Sequence, residues 1–171
     1  MDCGEKIKIG VSSCLLGNPV RYDGNDKSDY SIKHILSECV EWVPVCPEVE
    51  CGLTVPREAM QLTGDTGNIR IVTIQTQVDV TDILLEWTAN KLAELKKLNL
   101  NGFIFKARSP SCGIKGVNIY DSFNLPVQEG SGLFANAFMN HLGTIPVEDE
   151  EGMNDPVIRK LFMKKTGIWS D

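Results

Sequence analysis

The sequence predicts an α/β protein, a single domain over residues 1–171 with a mainly parallel central sheet flanked by helices in Rossmann-like layers. Three observations lead there. Short runs rich in β-branched and aromatic residues alternate with longer stretches of helical periodicity, the pattern of strands joined by crossover helices. At 171 residues and 42% hydrophobic content, the chain is long enough to bury one proper core. No internal repeat or low-complexity segment divides it.

The first strand is predicted over residues 6–11 (KIKIGV), which have the length and composition of a buried strand. A loop rich in turn residues (GNPVRYDGNDKSD) follows. A helix over residues 30–39 then places Ile32, Ile35, Leu36 and Cys39 on one side. The apolar run 40–45 reads as a second strand ending at Cys46. After a loop containing Pro47, Gly52, Pro56 and Arg57, residues 68–78 read as one strand or two short ones. Asp79 is placed to cap a helix to about residue 98, with a stripe of Val80, Leu84, Trp87, Leu95 and Leu98 interrupted by Lys91. A short strand GFIF at 102–105, a helix over 133–141, a strand over 144–147 and a helix over 155–165 complete the prediction. GSGLFA at 130–135 fits a dinucleotide-binding pattern formally. A loop with Pro126, where that fingerprint needs a strand, precedes it, so it reads as a glycine turn opening a helix.

Composition narrows the function. The formal net charge is −6, whereas a protein that binds long nucleic acid carries a basic face to neutralise phosphates. The pairs Lys96/Lys97 and Lys164/Lys165 read as solvated helix faces. No apolar run approaches the roughly 20 residues of a membrane span, and the start of the chain is charged, without the apolar segment of a secretory signal. A cytoplasmic location is therefore expected. Six cysteines (Cys3, Cys14, Cys39, Cys46, Cys51, Cys112) are many for a reducing compartment, where disulfides are rare, so metal binding or catalysis is the default reading.

In an open parallel sheet, ligand sites form outside the carboxyl ends of the strands. Cys14, Cys46 and Cys112 each lie just past such an end, following KIKIGVSS, VEWVPV and NGFIFKARSPS. Three thiolates on one rim suit an iron–sulfur cubane, whose fourth iron would stay open as a Lewis acid and a soft landing site for sulfur. A proline directly after Cys46 adds a weak echo of ferredoxin sequences. Other readings stay open. Free cysteines often pack as small hydrophobes, the expectation for Cys39, and Cys3 lies in a terminal segment. A closed zinc module with Cys51 as fourth ligand, a thiol–disulfide protein using Cys46 and Cys51, and an iron–sulfur or zinc-binding sulfur carrier in thionucleoside metabolism are the rivals. His34 and His141 are too scattered for a histidine metal site, and His141 suits the end of its helix.

Several blocks together resemble the thiouracil desulfidase family: VSSCLLGNPVRYDG (11–24), VCPEVECGLTVPRE (45–58), KARSPSCG (106–113), and IYDSF followed by EGSGLFA. The resemblance spans nearly the whole chain. It implies a [4Fe-4S] cluster on Cys14, Cys46 and Cys112 and an enzyme that takes sulfur non-redoxly from 2-thiouracil or 4-thiouridine-type substrates, giving the oxo base and hydrogen sulfide. The implied partner is a small thiolated nucleobase or nucleoside. On that reading Glu48, two residues from a cluster ligand, is the general base and proton shuttle. Ser109 is expected to bond the pyrimidine edge or the attacking water, with Ser12 and Ser111 as further substrate-binding candidates and Cys51 as a candidate proton donor. Arg21, Tyr22, Asp23, Pro56 and Arg57 match family blocks. An arginine could offset the cluster's negative charge, and a structural salt bridge with Asp23 or Glu58 explains the same residues equally well. Ala107 departs from the family by standing where a small hydroxyl residue is usual.

Overall fold

The computed structural model describes residues 6–35, 40–65 and 67–169. The first element, β1 (Ile7–Ser12), runs into a 3-10 turn (Ser13–Leu16), and a long loop leads to α1 (Tyr30–Ile35). Then come β2 (Val40–Val45), a short α2 (Pro47–Glu50), β3 (Met60–Asp65), β4 (Asn68–Thr73) and α3 (Thr81–Lys97). The chain continues through β5 (Gly102–Phe105), β6 (Val117–Tyr120), β7 (Pro126–Gly130), α4 (Leu133–His141), β8 (Val147–Asp149), α5 (Glu150–Asn154) and α6 (Pro156–Thr166).

Four strands form a parallel sheet in the order β2-β1-β5-β8. Their register is in step: Ser12 pairs with Val45, Val11 with Ile104, and Phe105 with Asp149. All four carboxyl ends therefore reach the same rim. The chain crosses from β1 to β2 on one side and later returns to β5 on the other, so the rim contains a topological switch point, where α/β sheets bind ligands. The predicted fold class holds.

Both faces of this sheet are covered. Phe103 and Phe105 of β5 point to one face and pack with Phe134 and Phe138 of α4 and with Leu92 and Leu95 of α3. Ile104, between them, points to the other face and joins Ile9, Val11, Ile32, Met153 and Phe162. The alternation is the two-residue period of a strand, and each face finds an apolar partner.

The structure also holds a second four-stranded sheet, β4-β3-β6-β7, that the sequence reading does not contain. The reason is compositional. In β3 only Leu62 is buried, in β6 only Val117 and Ile119, and β7 is largely exposed, so none shows a run of alternation long enough to read. Leu62, Ile71, Val117 and Ile119 pack against Val80 and Leu84 at the start of α3.

Several boundaries differ from expectation. The strand expected over 68–78 stops at Thr73, where the chain turns through Gln77 at φ 55°. The strand placed at 144–147 lies at Val147–Asp149, and the last helix starts at Pro156 with Asp155 as its cap, accepting from the Val157 and Ile158 amides. The cap position of α3 is Val80 and not Asp79, which sits one residue earlier and accepts from the Thr81 amide through Oδ1, and Leu98 lies past the helix and is 37% exposed. Cys3 and the 36–39 part of the first predicted helix, with Cys39, lie outside the described residues.

Gly10 sits in β1 directly beneath the Phe103 ring, and a Cβ added there would lie 2.2 Å from a ring carbon. Phe103 is fully buried and stacked on Phe105, so it has little room to yield. Gly10→Ala should therefore destabilise the protein by about 1–3 kcal/mol, as core overpacking does. Urea unfolding checks this, and an unchanged midpoint would show that the phenylalanine cluster has slack.

Candidate functional site

At the common rim lies a cavity of about 270 Å³ lined by residues from every block of the chain that passes there. Cys14, Cys46 and Cys112 all line it, together with Ser12, Glu48, Ser109 and Ser111. Cys51 does not.

Each cysteine is held by its own local device. Cys14 follows β1 in the 3-10 turn, where its carbonyl accepts from the Gly17 and Lys27 amides at 3.2 and 2.9 Å and pins the loop behind it. Cys46 is the N-cap residue of α2, with Pro47 in the first helical position, where a missing N–H costs nothing. Its amide donates to Glu50 Oε1 at 2.9 Å, and Lys91 of α3 binds Glu50 Oε2 at 2.9 Å. Lys91, which interrupts the apolar stripe of α3, thus ties that helix to the Cys46 turn.

Cys112 lies in the SPSCG turn. Ser109 Oγ accepts from the Cys112 and Ser111 amides at 3.1 and 3.3 Å, the local bonding that serine favours in turns. The first turn of α4 then docks on this segment. Leu133 donates to the Pro110 carbonyl, and Phe134 and Ala135 donate to the Ser111 carbonyl at 3.0 and 3.1 Å. These are the amides that a helix start leaves without partners. A Cβ on Gly132 would lie 2.5 Å from the Ser111 backbone, so only glycine permits this approach. The glycine turn read from GSGLFA is therefore a brace for the Cys112 loop.

Glu48 projects from α2 into a set of charged and hydroxyl partners. Arg57 binds Glu48 Oε2 twice, from Nε at 2.8 Å and from Nη2 at 2.6 Å. Ser111 Oγ donates to Glu48 Oε1 at 2.8 Å, and Ser109 Oγ lies 3.1 Å from Ser111 Oγ. A chain of exchangeable protons thus runs Ser109, Ser111, Glu48 along the wall. Ser12, 2% exposed, accepts from the Lys106 amide at 2.9 Å, joining the ends of β1 and β5, and its hydroxyl favours the thiolate form of Cys112. Cys51 lies behind the wall in the core under the second sheet, where its thiol donates to the Glu48 carbonyl at 3.2 Å.

Two features escaped the sequence reading. Arg57 pairs with Glu48; of the carboxylates expected for these arginines, Asp23 pairs with Arg21 at 3.9 Å, and Glu58 instead accepts from Gln75 and Thr76. Lys106 Nζ, on the cavity wall, binds the 9% exposed Glu150 at 2.5 Å, and the Ala107 amide donates to the other Glu150 oxygen at 2.6 Å. The second pair joins residues 44 positions apart, and no local spacing announces it. Arg108, with φ 57° in the left-handed region, turns outward to Glu151.

Burial governs the thiols. It pushes Cys14 up from 9.0 to about 11, against the pull of Lys106 and Arg21, and it raises Cys46 and Cys112 as well. The three thiols also feel one another: Cys46 raises Cys14, and both raise Cys112. Among the described residues, no three His, Cys, Asp or Glu side chains lie close enough to share one metal ion.

The sequence pattern of one family, 2-thiouracil desulfurase, matches residues 9–150. The uncharacterized protein YbbK of Bacillus subtilis (strain 168) is 35% identical over 153 residues, which cover 86% of this chain and 98% of that protein. Among solved structures, the [4Fe-4S]-dependent thiouracil desulfidase TudS superposes with a TM-score of 0.69 at 30% identity. The match covers 91% of this chain and 99% of that one.

The raised thiols set a pH dependence. A group whose pKa is raised in the folded state keeps its proton there, so the stability it contributes is present below the unfolded value of 9.0 and lost as pH climbs towards about 11. In the metal-free protein, alkylation of Cys14 by iodoacetamide should be far slower at pH 8 than in the unfolded chain and should rise about tenfold per pH unit up to about 11. Mass spectrometry of quenched samples reads it, and a rate that levels off near pH 9 would show an unperturbed thiol.

Proposed function

Because the chain belongs to the 2-thiouracil desulfurase family, we propose that it removes sulfur without redox change from a thiolated pyrimidine, 2-thiouracil or a 4-thiouridine-type compound, and releases hydrogen sulfide. The observation that carries this reading is the meeting of Cys14, Cys46 and Cys112 on one cavity with the Glu48–Ser111 pair on its wall.

The donor set suits a [4Fe-4S] cluster. Each iron of a cluster takes its own thiolate, so the ligands stand around an inorganic core and need not converge on one ion. The three cysteines come from three separate strand ends, and no closer single-ion group exists among the described residues. On this reading Cys14, Cys46 and Cys112 hold three irons. When bound, the cluster supplies an open iron, soft and Lewis-acidic, for a thiocarbonyl sulfur. Binding requires thiolates, and Lys106 and Arg21 supply the positive charge that opposes the effect of burial on Cys14.

The chain's own residues then manage the proton. Water adds its oxygen to the thiocarbonyl carbon, and Glu48 Oε1, the oxygen on the Ser111 side, takes the proton released. The carbon–sulfur bond breaks as Glu48 returns its proton to the departing sulfur, and the hydroxyl left on the ring gives up the second water proton, so that the ring keeps a carbonyl oxygen and the sulfur leaves as hydrogen sulfide. No electron is gained or lost overall. Ser111 and Ser109 hold the water or the pyrimidine edge, and Ser12 ties the end of β1 to Lys106 after β5. We assign Cys51 to holding α2, because its thiol points at the Glu48 carbonyl and lies off the cavity.

Anaerobic incubation with 2-thiouracil should yield uracil and sulfide in many turnovers with no reductant, and stoichiometric sulfur uptake without turnover would favour a sulfur carrier. Cys14→Ala, Cys46→Ala and Cys112→Ala should each abolish the brown cluster absorbance. Glu48→Gln should keep the colour and lose on the order of 10²- to 10⁴-fold in kcat, the usual contribution of a positioned acid–base group. Full activity in that variant would remove Glu48 from the mechanism.

A further inference from the structure

We infer that Arg57 is the positioning residue of this site: its guanidinium occupies one oxygen of Glu48 so that the other is presented to Ser111 and the cavity. The inference rests on the proposed role of Glu48 and adds what sets that carboxylate in place.

The geometry is specific. Both guanidinium donors that reach Glu48, Nε and Nη2, bind the same oxygen, Oε2, at 2.8 and 2.6 Å. Oε1 is left with the Ser111 hydroxyl at 2.8 Å. A carboxylate bonded so asymmetrically cannot rotate about its terminal bond without losing two charge-assisted hydrogen bonds. The guanidinium is itself fixed. Nη2 also donates to the Val20 carbonyl at 2.9 Å, Nη1 donates to the Thr54 carbonyl at 3.2 Å, and the Arg57 amide donates to the Tyr22 carbonyl at 2.8 Å. The Arg57 and Glu48 side chains are 8% and 13% exposed, so water does not screen the pair as it would at the surface.

The same side chain also bridges two blocks of the site. Val20 and Tyr22 belong to the loop behind Cys14, and the Val20 carbonyl lies 4.0 Å from Cys46 Sγ. Glu48 follows Cys46 by two residues. One planar, five-donor group therefore keeps the proton carrier in register with the walls that hold two of the cysteines. Lysine, a single point charge, cannot reproduce the fork.

The test is a double-mutant cycle with Arg57→Gln, Glu48→Gln and both together, read in two ways. In the cluster-free chain, urea unfolding should show Arg57→Gln lowering the folding equilibrium constant about 100-fold or more, as expected when a buried charge loses its partner, and at least tenfold less when Glu48 is already Gln. In loaded protein, normalised to cluster by visible absorbance, Arg57→Gln should lower kcat about 100-fold with KM for 2-thiouracil within threefold, and should cost nothing further in the Glu48→Gln background. Arg57→Lys should recover part of the lost kcat. Additive effects in the unfolding cycle, or full kcat in Arg57→Gln, overturn the inference. Should Arg57→Gln fail to fold, Arg57→Lys is read in its place, where a fall in kcat that vanishes in the Glu48→Gln background supports the inference and an unchanged kcat overturns it. Full activity in Glu48→Gln alone strikes at the proton-carrier reading, whereas the unfolding cycle still reports whether Arg57 holds Glu48.

Discussion

The in-step ending of four parallel strands is the constraint on which the rest of the molecule depends. Hydrogen bonding fixes Ser12 beside Val45 and Phe105 beside Asp149, so the segments that leave these strands start from one level. Much of the cavity's chemistry is delivered by those exits: Cys14 after β1, Cys46 and Glu48 after β2, and Lys106 and the Ser109–Cys112 turn after β5, while Glu150 after β8 holds Lys106 from behind. A slip of one residue would also turn each apolar face outward, so the cost of misregister falls on the core as well as on the site. The phenylalanine layer on one face and the Ile9, Val11 and Ile104 layer on the other thereby enforce the geometry of the rim.

Around that rim the protein solves a problem of charge. Thiols and carboxylates cluster where water is scarce, and burial opposes ionisation of each cysteine. The compensation is local. Arg21, Arg57, Lys106 and Arg108 all line the cavity of a chain whose net charge is −6. Each of these cations has a carboxylate partner, Arg57 with Glu48 and Lys106 with Glu150 where water is scarce, and Arg21 with Asp23 and Arg108 with Glu151 nearer the surface, and the two less exposed pairs place their charge most firmly. Half-buried pairs of this kind add little net stability, but removing one partner strands the other, and that fixes geometry.

The second sheet acts as a buttress. It supplies Ala59 and Met60 to the cavity wall as β3 begins and packs its buried side on the start of α3. Helix α3 in turn reaches back through Lys91 and Glu50 to the amide of Cys46. Strands this short reveal themselves poorly in a sequence, because one or two buried side chains define no period. By contrast β5, with four consecutive buried residues, and α4, with its glycine start, stand where periodicity and turn chemistry put them. Helix α6 begins one residue late for an equally local reason, since Asp155 accepts the first amides and Pro156 takes the first turn.

By itself the sequence determined the layered α/β class, the strands that carry Cys14, Cys46 and Cys112 to their ends, and the glycine turn of α4, because each depends on neighbours within a few positions. It also marked Arg57 as notable but offered Asp23 or Glu58 as the carboxylate partner. Only the tertiary structure decided that Arg57 takes Glu48, that Ser111 rather than Ser109 touches that carboxylate directly, that Lys106 takes Glu150, and that Cys51 faces the core. The physical reason is the same throughout. A salt bridge or hydrogen bond between distant segments depends on distance and desolvation in the folded chain, and neither quantity leaves a period or a spacing in the linear sequence.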